Sequence, residues 1–252
     1  MVHRIEFKNN KNQTLRGLLH VPKKYGTAVI FLHGFPSRIN GFTGRRMTRA
    51  FSKTNFLFLA FDFSGTDTSD GRFEDKLVSQ EVKEIKCAID FLEKNYSFKK
   101  LILLGHSTGA INAALYAHTD NRVDAIILIG GSGDLKRSVQ HEFTPLQVRK
   151  FWTKGYATYD NPEKWYHQKK IKKCYYDEFF TLDVLGSLHK FTKPVLIIHG
   201  EKDEAIPLRD ARELFNAARR PKKLLIIKEA DHRFTNHFSK LTRQIKLFLK
   251  KV

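Results

Sequence analysis

A serine, an aspartate and a histidine stand at three corresponding places in this chain. Ser107 lies in Gly105-His106-Ser107-Thr108-Gly109, after the apolar run from Leu101 to Leu104 and before an Ala-rich stretch. That pattern is a strand, a sharp turn and a helix with the serine at the apex. Small residues at 105 and 109 relieve the crowding of so tight a turn. A hydroxyl is a weak nucleophile near neutral pH. It needs a base within hydrogen-bond reach and a carboxylate to orient that base. His232 follows the apolar run Leu224-Leu225-Ile226-Ile227, and Asp203 follows the run that ends at His199-Gly200. Glu201 and Glu204 flank Asp203, and Asp231 adjoins His232, so these carboxylates compete for the orienting role. His106 and His199 are expected beside the site, and His237 on the last helix. An acyl-transfer site also needs donors for the oxyanion. The backbone N–H groups of Thr108 and of Phe35, in His33-Gly34-Phe35-Pro36, are the candidates, and Pro36 has no N–H to offer.

The elements that carry these residues alternate. Residues 3–8 and 14–21 read as a hairpin around Asn9-Asn10-Lys11-Asn12. Thr27 to Leu32, Phe56 to Phe61, 101–105, Asp124 to Ile129, Val195 to His199 and Leu224 to Ile227 read as strands, mostly buried on both faces. Between them, helices are expected at 41–54, 79–95, 108–118, 207–218 and 236–250. In 79–95 the stripe is Val82, Ile85, Ile89 and Leu92, with Glu81 and Glu84 off it. Eight strands alternating with helices imply an α/β fold with a mostly parallel sheet, helices on both faces and a site at the carboxyl ends of the strands.

Residues 134–190 break the alternation. Both tryptophans, Trp152 and Trp165, and five of the eight tyrosines fall there. A structureless loop of that length is unlike a compact domain, so an inserted subdomain with an aromatic inner surface is expected. The boundaries are core at 1–133 and 189–252, insertion at 134–188. Gly130-Gly131-Ser132-Gly133 lacks the Lys-Ser/Thr of a phosphate loop.

Composition bounds the rest. The chain has 252 residues, 41% hydrophobic and 28% charged, with a net charge of +19. No run has the length of a membrane span, and the first residues lack the apolar core of a signal peptide. Cys87 and Cys174 match no metal or redox spacing and read as reduced thiols in a cytoplasmic protein. The basic pairs are scattered along the chain rather than gathered with aromatics, so nucleic acid is not the expected partner.

The motifs together resemble an α/β-hydrolase, and within that superfamily the cinnamoyl and feruloyl esterases. The resemblance rests on His33-Gly34-Phe35, Phe61-Asp62-Phe63-Ser64-Gly65, Ser69-Asp70-Gly71-Arg72-Phe73-Glu74, Gly105-His106-Ser107-Thr108-Gly109, Phe191-Thr192-Lys193-Pro194-Val195, His199-Gly200 through Asp203, and Ala230-Asp231-His232. Two departures stand out: Gly65-Thr66-Asp67 where the family tends to have Gly-His-Gly, and Thr108 where it often has Gln. The resemblance implies that 134–188 is a cap that helps hold an aromatic acyl group.

The expected activity is hydrolysis of carboxylic esters by Ser107, Asp203 and His232, with no metal or organic cofactor. The expected partner is a small-molecule ester, and the state of association, homodimer included, stays open. His33, Gly34, His106, Trp152 and Trp165 are candidate substrate contacts. The same three residues could serve a thioesterase, a lipid-ester hydrolase, a small peptidase or a perhydrolase. A cationic binding protein on an inactive scaffold is the alternative of another class.

Overall fold

The computed structural model describes residues 2–252. Its strands are β1 (Val2–Lys8), β2 (Thr14–His20), β3 (Thr27–Leu32), β4 (Leu57–Phe61), β5 (Lys100–His106), β6 (Val123–Ile129), β7 (Tyr156–Thr158), β8 (Lys170–Lys172), β9 (Val195–Gly200) and β10 (Lys222–Ile227). Its helices are α1 (Phe42–Phe51), α2 (Val78–Asn95), α3 (Thr108–Tyr116), α4 (Leu135–Glu142), α5 (Pro145–Lys154), α6 (Lys173–Glu178), α7 (Val184–Lys190), α8 (Leu208–Ala217) and α9 (Phe238–Leu249).

Eight strands form one sheet in the order β1-β2-β4-β3-β5-β6-β9-β10. The hairpin β1–β2 is antiparallel, as is its junction with β4, and every other pairing is parallel. Asn12 takes the positive φ that the hairpin turn needs. The apolar runs are central strands because both their faces are covered. In β5, Leu101 and Leu103 pack under α2 and α3, while Ile102 and Leu104 pack with Met47 and Phe51 of α1 and Leu241 and Ile245 of α9. This is the period of two that a pleated strand imposes. Edge strand β10 carries Lys222 and Lys223 at its start, charges that disfavour pairing with another chain.

Helix α2 differs from the expectation in one respect. Glu81 and Glu84, off the apolar stripe, are buried. The Lys76 ammonium lies 2.8 Å from Glu81 Oε1, with both side chains at most 3% exposed. Asn112 of α3 donates to Glu81 Oε2 at 2.8 Å. Glu84 accepts from Asn9, Gln80 and the Ser64 N–H. Burial without these partners would be costly, so the network ties α2 to the hairpin and to the loop after β4.

Between β6 and β9 the chain forms α4 to α7 and the small antiparallel pair β7–β8. Helix α5 is fully signalled: a capping box between Thr144 and Gln147, Pro145 in the first turn, and Gly155 left-handed at the end. Phe143, Phe151, Tyr175, Tyr176 and Phe179 pack on one another in edge-to-face and tilted pairs. Tyr175 in turn reaches Phe35 of the main body, with ring centroids 4.6 Å apart. Helix α7 packs against α3 and α8.

Candidate active site

Ser107 sits where β5 turns into α3. Its backbone is held at φ 57, ψ −125, a conformation that a side chain adopts only when its surroundings impose it. The Ser107 N–H donates to the Ile129 carbonyl at 2.8 Å, anchoring the turn to β6. A Cβ at Gly109 would lie 2.1 Å from the Leu32 carbonyl oxygen, and one at Gly105 equally close to the Gly109 carbonyl. The turn can therefore pack between β3 and β6 only with glycine at both positions.

The loop after β9 supplies the carboxylate. The Asp203 side chain is fully buried, and its Oδ1 accepts the N–H groups of Ala205 and Ile206 at 3.0 and 2.8 Å. Its Oδ2 meets His232 Nδ1 at 2.8 Å. His199 Nε2 approaches the same oxygen at 3.3 Å and the Ile206 carbonyl at 2.8 Å. Burial works against the charge of Asp203, but the hydrogen bond from His232 and the backbone donors hold its carboxyl below the usual range. The competing carboxylates are occupied elsewhere. Asp231 turns to the Thr235 N–H and hydroxyl, and Glu201 accepts the Glu229 N–H. Glu204 accepts the backbone N–H of His232 at 3.2 Å, so it holds the loop rather than the imidazole.

His232 and Ser107 line one cleft of about 420 Å³, together with Gly34, Phe35, His106 and Trp165. Neither the Phe35 nor the Thr108 N–H donates to another described residue, as is required of groups free to meet a ligand oxygen. Gly34 presses on the serine: a Cβ there would lie 2.7 Å from Ser107 Cβ. His33 is buried beneath this loop. Its Nδ1 donates to the Gly34 carbonyl at 2.9 Å and its Nε2 accepts from the Phe63 N–H at 3.3 Å, a pattern only the neutral ring allows. Burial, and then the charge of Lys76, push its pKa down to about 3.

The remaining candidates divide. His106 faces the cleft, its ring centroid 4.9 Å from that of His232, and its Nε2 meets the His232 carbonyl at 2.9 Å. Trp165 lines the cleft, and its Nε1–H donates to the Pro36 carbonyl at 2.8 Å. Trp152 does not come to the cleft. It is 68% exposed on α5, with the Lys173 ammonium over its ring. The buried side of α5 is set by Phe151, so the adjacent tryptophan must face outward. Asp62 carried no expected role, yet it fastens the Phe35 loop: the Ile39 N–H donates to its Oδ1 at 2.7 Å. Only its place in the Phe61-to-Gly65 motif marked it. Among the described residues no group of three or more His, Cys, Asp or Glu could hold a metal ion.

A family model described as serine aminopeptidase, S33 matches residues 23–178. The chain belongs to this Hydrolase_4 family. Its fold is that of the α/β-hydrolases. Est1E of Butyrivibrio proteoclasticus, in a structure with ferulic acid bound, superposes with a TM-score of 0.84 at 22% identity, covering 98% of each chain. Mouse alpha/beta hydrolase domain-containing protein 10 superposes with a TM-score of 0.79 at 22% identity, covering 99% of each chain. In sequence, the chain is 26% identical over 210 residues to mouse palmitoyl-protein thioesterase ABHD10, mitochondrial, covering 81% of this chain and 68% of the relative. No helix among the described residues is long and apolar enough to cross a membrane.

Proposed function

We propose that this Hydrolase_4 protein is a serine esterase working through an acyl-enzyme. The observation that carries the reading is the 2.8 Å contact of His232 Nδ1 with buried Asp203, in a cleft shared with Ser107 at its strained turn. Ser107 Oγ bonds to the carbonyl carbon while His232 Nε2 takes its proton. The Phe35 and Thr108 N–H groups receive the oxyanion. The C–O bond to the alcohol then breaks, and the alcohol leaves with the proton from His232. Water, deprotonated by His232, attacks the acyl carbon, releasing the acid and restoring the serine. Asp203 keeps the proton on Nδ1, so that Nε2 is free to accept, and it stabilises the imidazolium.

Residues 134–188 act as a cap in this reading, supported by Lys164, Trp165 and Tyr166 on the cleft wall. An aromatic acyl group finds support in the rings of Phe35 and Trp165, which line the cleft with Ser107 and both pack on Phe73 behind them. The two free thiols of Cys87 and Cys174 suit a reducing compartment such as the cytoplasm. A thioester in place of the oxyester is the second reading, favoured by the relative named as a palmitoyl-protein thioesterase. Matched oxygen and sulfur esters of one acid separate the two.

The test is turnover of 4-nitrophenyl acetate by the wild type and by Ser107→Ala. The variant is expected to lose on the order of 10⁴-fold or more in kcat. Near-normal turnover would remove Ser107 from the mechanism.

A further inference from the structure

Some basic side chains on this molecule are neutralised by several carboxylates at once: Arg122 meets Asp90, Glu93 and Asp120, and Arg137 meets Asp134, Asp210 and Glu213. The cleft at Ser107 gathers positive charge with little to offset it. Arg38, Arg45, Lys164 and Arg233 line it against one acidic side chain, Glu163. Arg38 is held by Asp67 at 2.7 Å. Arg45, Lys164 and Arg233 make no ion pair with any described residue. They also arrive from three separate places: α1, the 134–188 segment, and the position after His232. Like charges brought together in one concave site repel each other, and a bound anion relieves that repulsion. The cleft's polar lining and the chain's net charge of +19 point the same way, since both favour the approach of an anion.

We propose that the cleft selects esters carrying an anionic group, a carboxylate or a phosphate, which Arg45, Lys164 and Arg233 hold while Ser107 attacks the carbonyl. This rests on the serine-esterase reading and adds the substrate class to it. Arg45 and Arg233 are then specificity determinants of the site, and both are exposed, so substituting them leaves the core untouched.

Two matched ester pairs test it on the full chain. One pair is 4-nitrophenyl butyrate and 4-nitrophenyl hydrogen glutarate, which differ by a carboxylate on the acyl side. The other is phenyl acetate and 4-acetoxybenzoate, which differ by a carboxylate on the leaving group. Each kcat/KM is divided by the ester's hydroxide-catalysed rate. The anionic member of at least one pair is expected to lead by about tenfold or more, and the pair that shows it tells which side carries the anion. That lead should shrink between about 20 mM and about 500 mM NaCl, as screening weakens exposed charges. It should fall by about tenfold in the double variant Arg45→Gln/Arg233→Gln. It should persist in Lys223→Gln, an exposed position of β10 outside the cleft. Hydrolysis of the neutral esters with no anionic lead in either pair overturns the proposal alone, as does a lead that survives the double variant. No turnover of any of the four esters overturns the esterase reading, and the proposal with it.

Discussion

A proton leaving Ser107 needs one acceptor, and the other histidines near the cleft are held out of that competition. Burial, and then the nearby charge of His232, push His106 down to about 3. His33 is held equally low. Both rings are therefore neutral throughout the range in which an esterase assay runs. A base works only when neutral. With His106 and His33 neutral throughout, the acid limb of kcat/KM is expected to have a limiting slope of one, in the wild type and in His106→Gln alike. A slope of two, or a limb abolished by His106→Gln, would mean that His106 shares the proton. At this scale the sequence was informative. Ser107, Asp203 and His232 each follow an apolar run, and position alone brought them to one side of the sheet. Asp203 was preferred to Glu201, Glu204 and Asp231 by its place after β9 and by chain order, but where the three competitors turn was not legible, because it depends on side-chain directions that loop folding decides.

The loop from His33 to Ile39 presents the Phe35 N–H, and its support is a buried carboxyl. Asp62 accepts from Ile39, but its Oδ2 has no partner, and the lone pair of His33 Nε2 lies 3.6 Å from Oδ1. That crowding of acceptors suits a protonated acid. Burial raises the Asp62 pKa from 3.8 to about 7, against the pull of the Ile39 N–H. The folded state thus binds the proton more tightly than the unfolded chain. The stability this contributes is full below about pH 4 and is lost as pH rises through about 7, a change of up to a few kcal/mol. Asp62→Asn keeps an acceptor for Ile39 and removes the charge. Its melting temperature, equal to wild type near pH 4, should exceed it progressively from pH 5 to 8. A constant offset between the two across that range would show that Asp62 does not titrate there. Elements were read unevenly from sequence. The strands follow from apolar runs and α2 from its stripe, but the burial of Glu81 and Glu84 does not, because the partners that permit it, Lys76 and Asn112 for Glu81 and Asn9 and the Ser64 N–H for Glu84, lie outside the helix. Helix α5 had its caps in the sequence, Thr144, Gln147 and Gly155, and its weak apolar stripe hid it.

The molecule as a whole is a mostly parallel sheet, with the segment between β6 and β9 leaning on the loop beside the serine. Trp165 donates to Pro36 and Tyr175 packs on Phe35, while Lys172 pairs with Asp75 in the turn that precedes α2. The segment and the Phe35 loop are thus tied by a hydrogen bond and a ring contact. Trp165→Phe leaves the Pro36 carbonyl without this donor, a loss of about 1 kcal/mol. It is expected to lower kcat/KM about fivefold, while the melting temperature falls by only a few degrees. Unchanged kcat/KM would show that the segment's hold on the loop is irrelevant to turnover. The sheet was legible because its strands are apolar on both faces. The inward face of residues 134–188 was not, since their aromatic residues announce a core without saying which rings turn inward, and Trp152 turned out. The most direct measurement is intact-mass and peptide analysis after exposure to a fluorophosphonate probe, which bonds only to an activated serine. The account predicts one adduct per chain, on Ser107, absent in Ser107→Ala and lost or greatly slowed in His232→Ala. A folded wild-type protein that takes no adduct, or takes it on another residue, would contradict it.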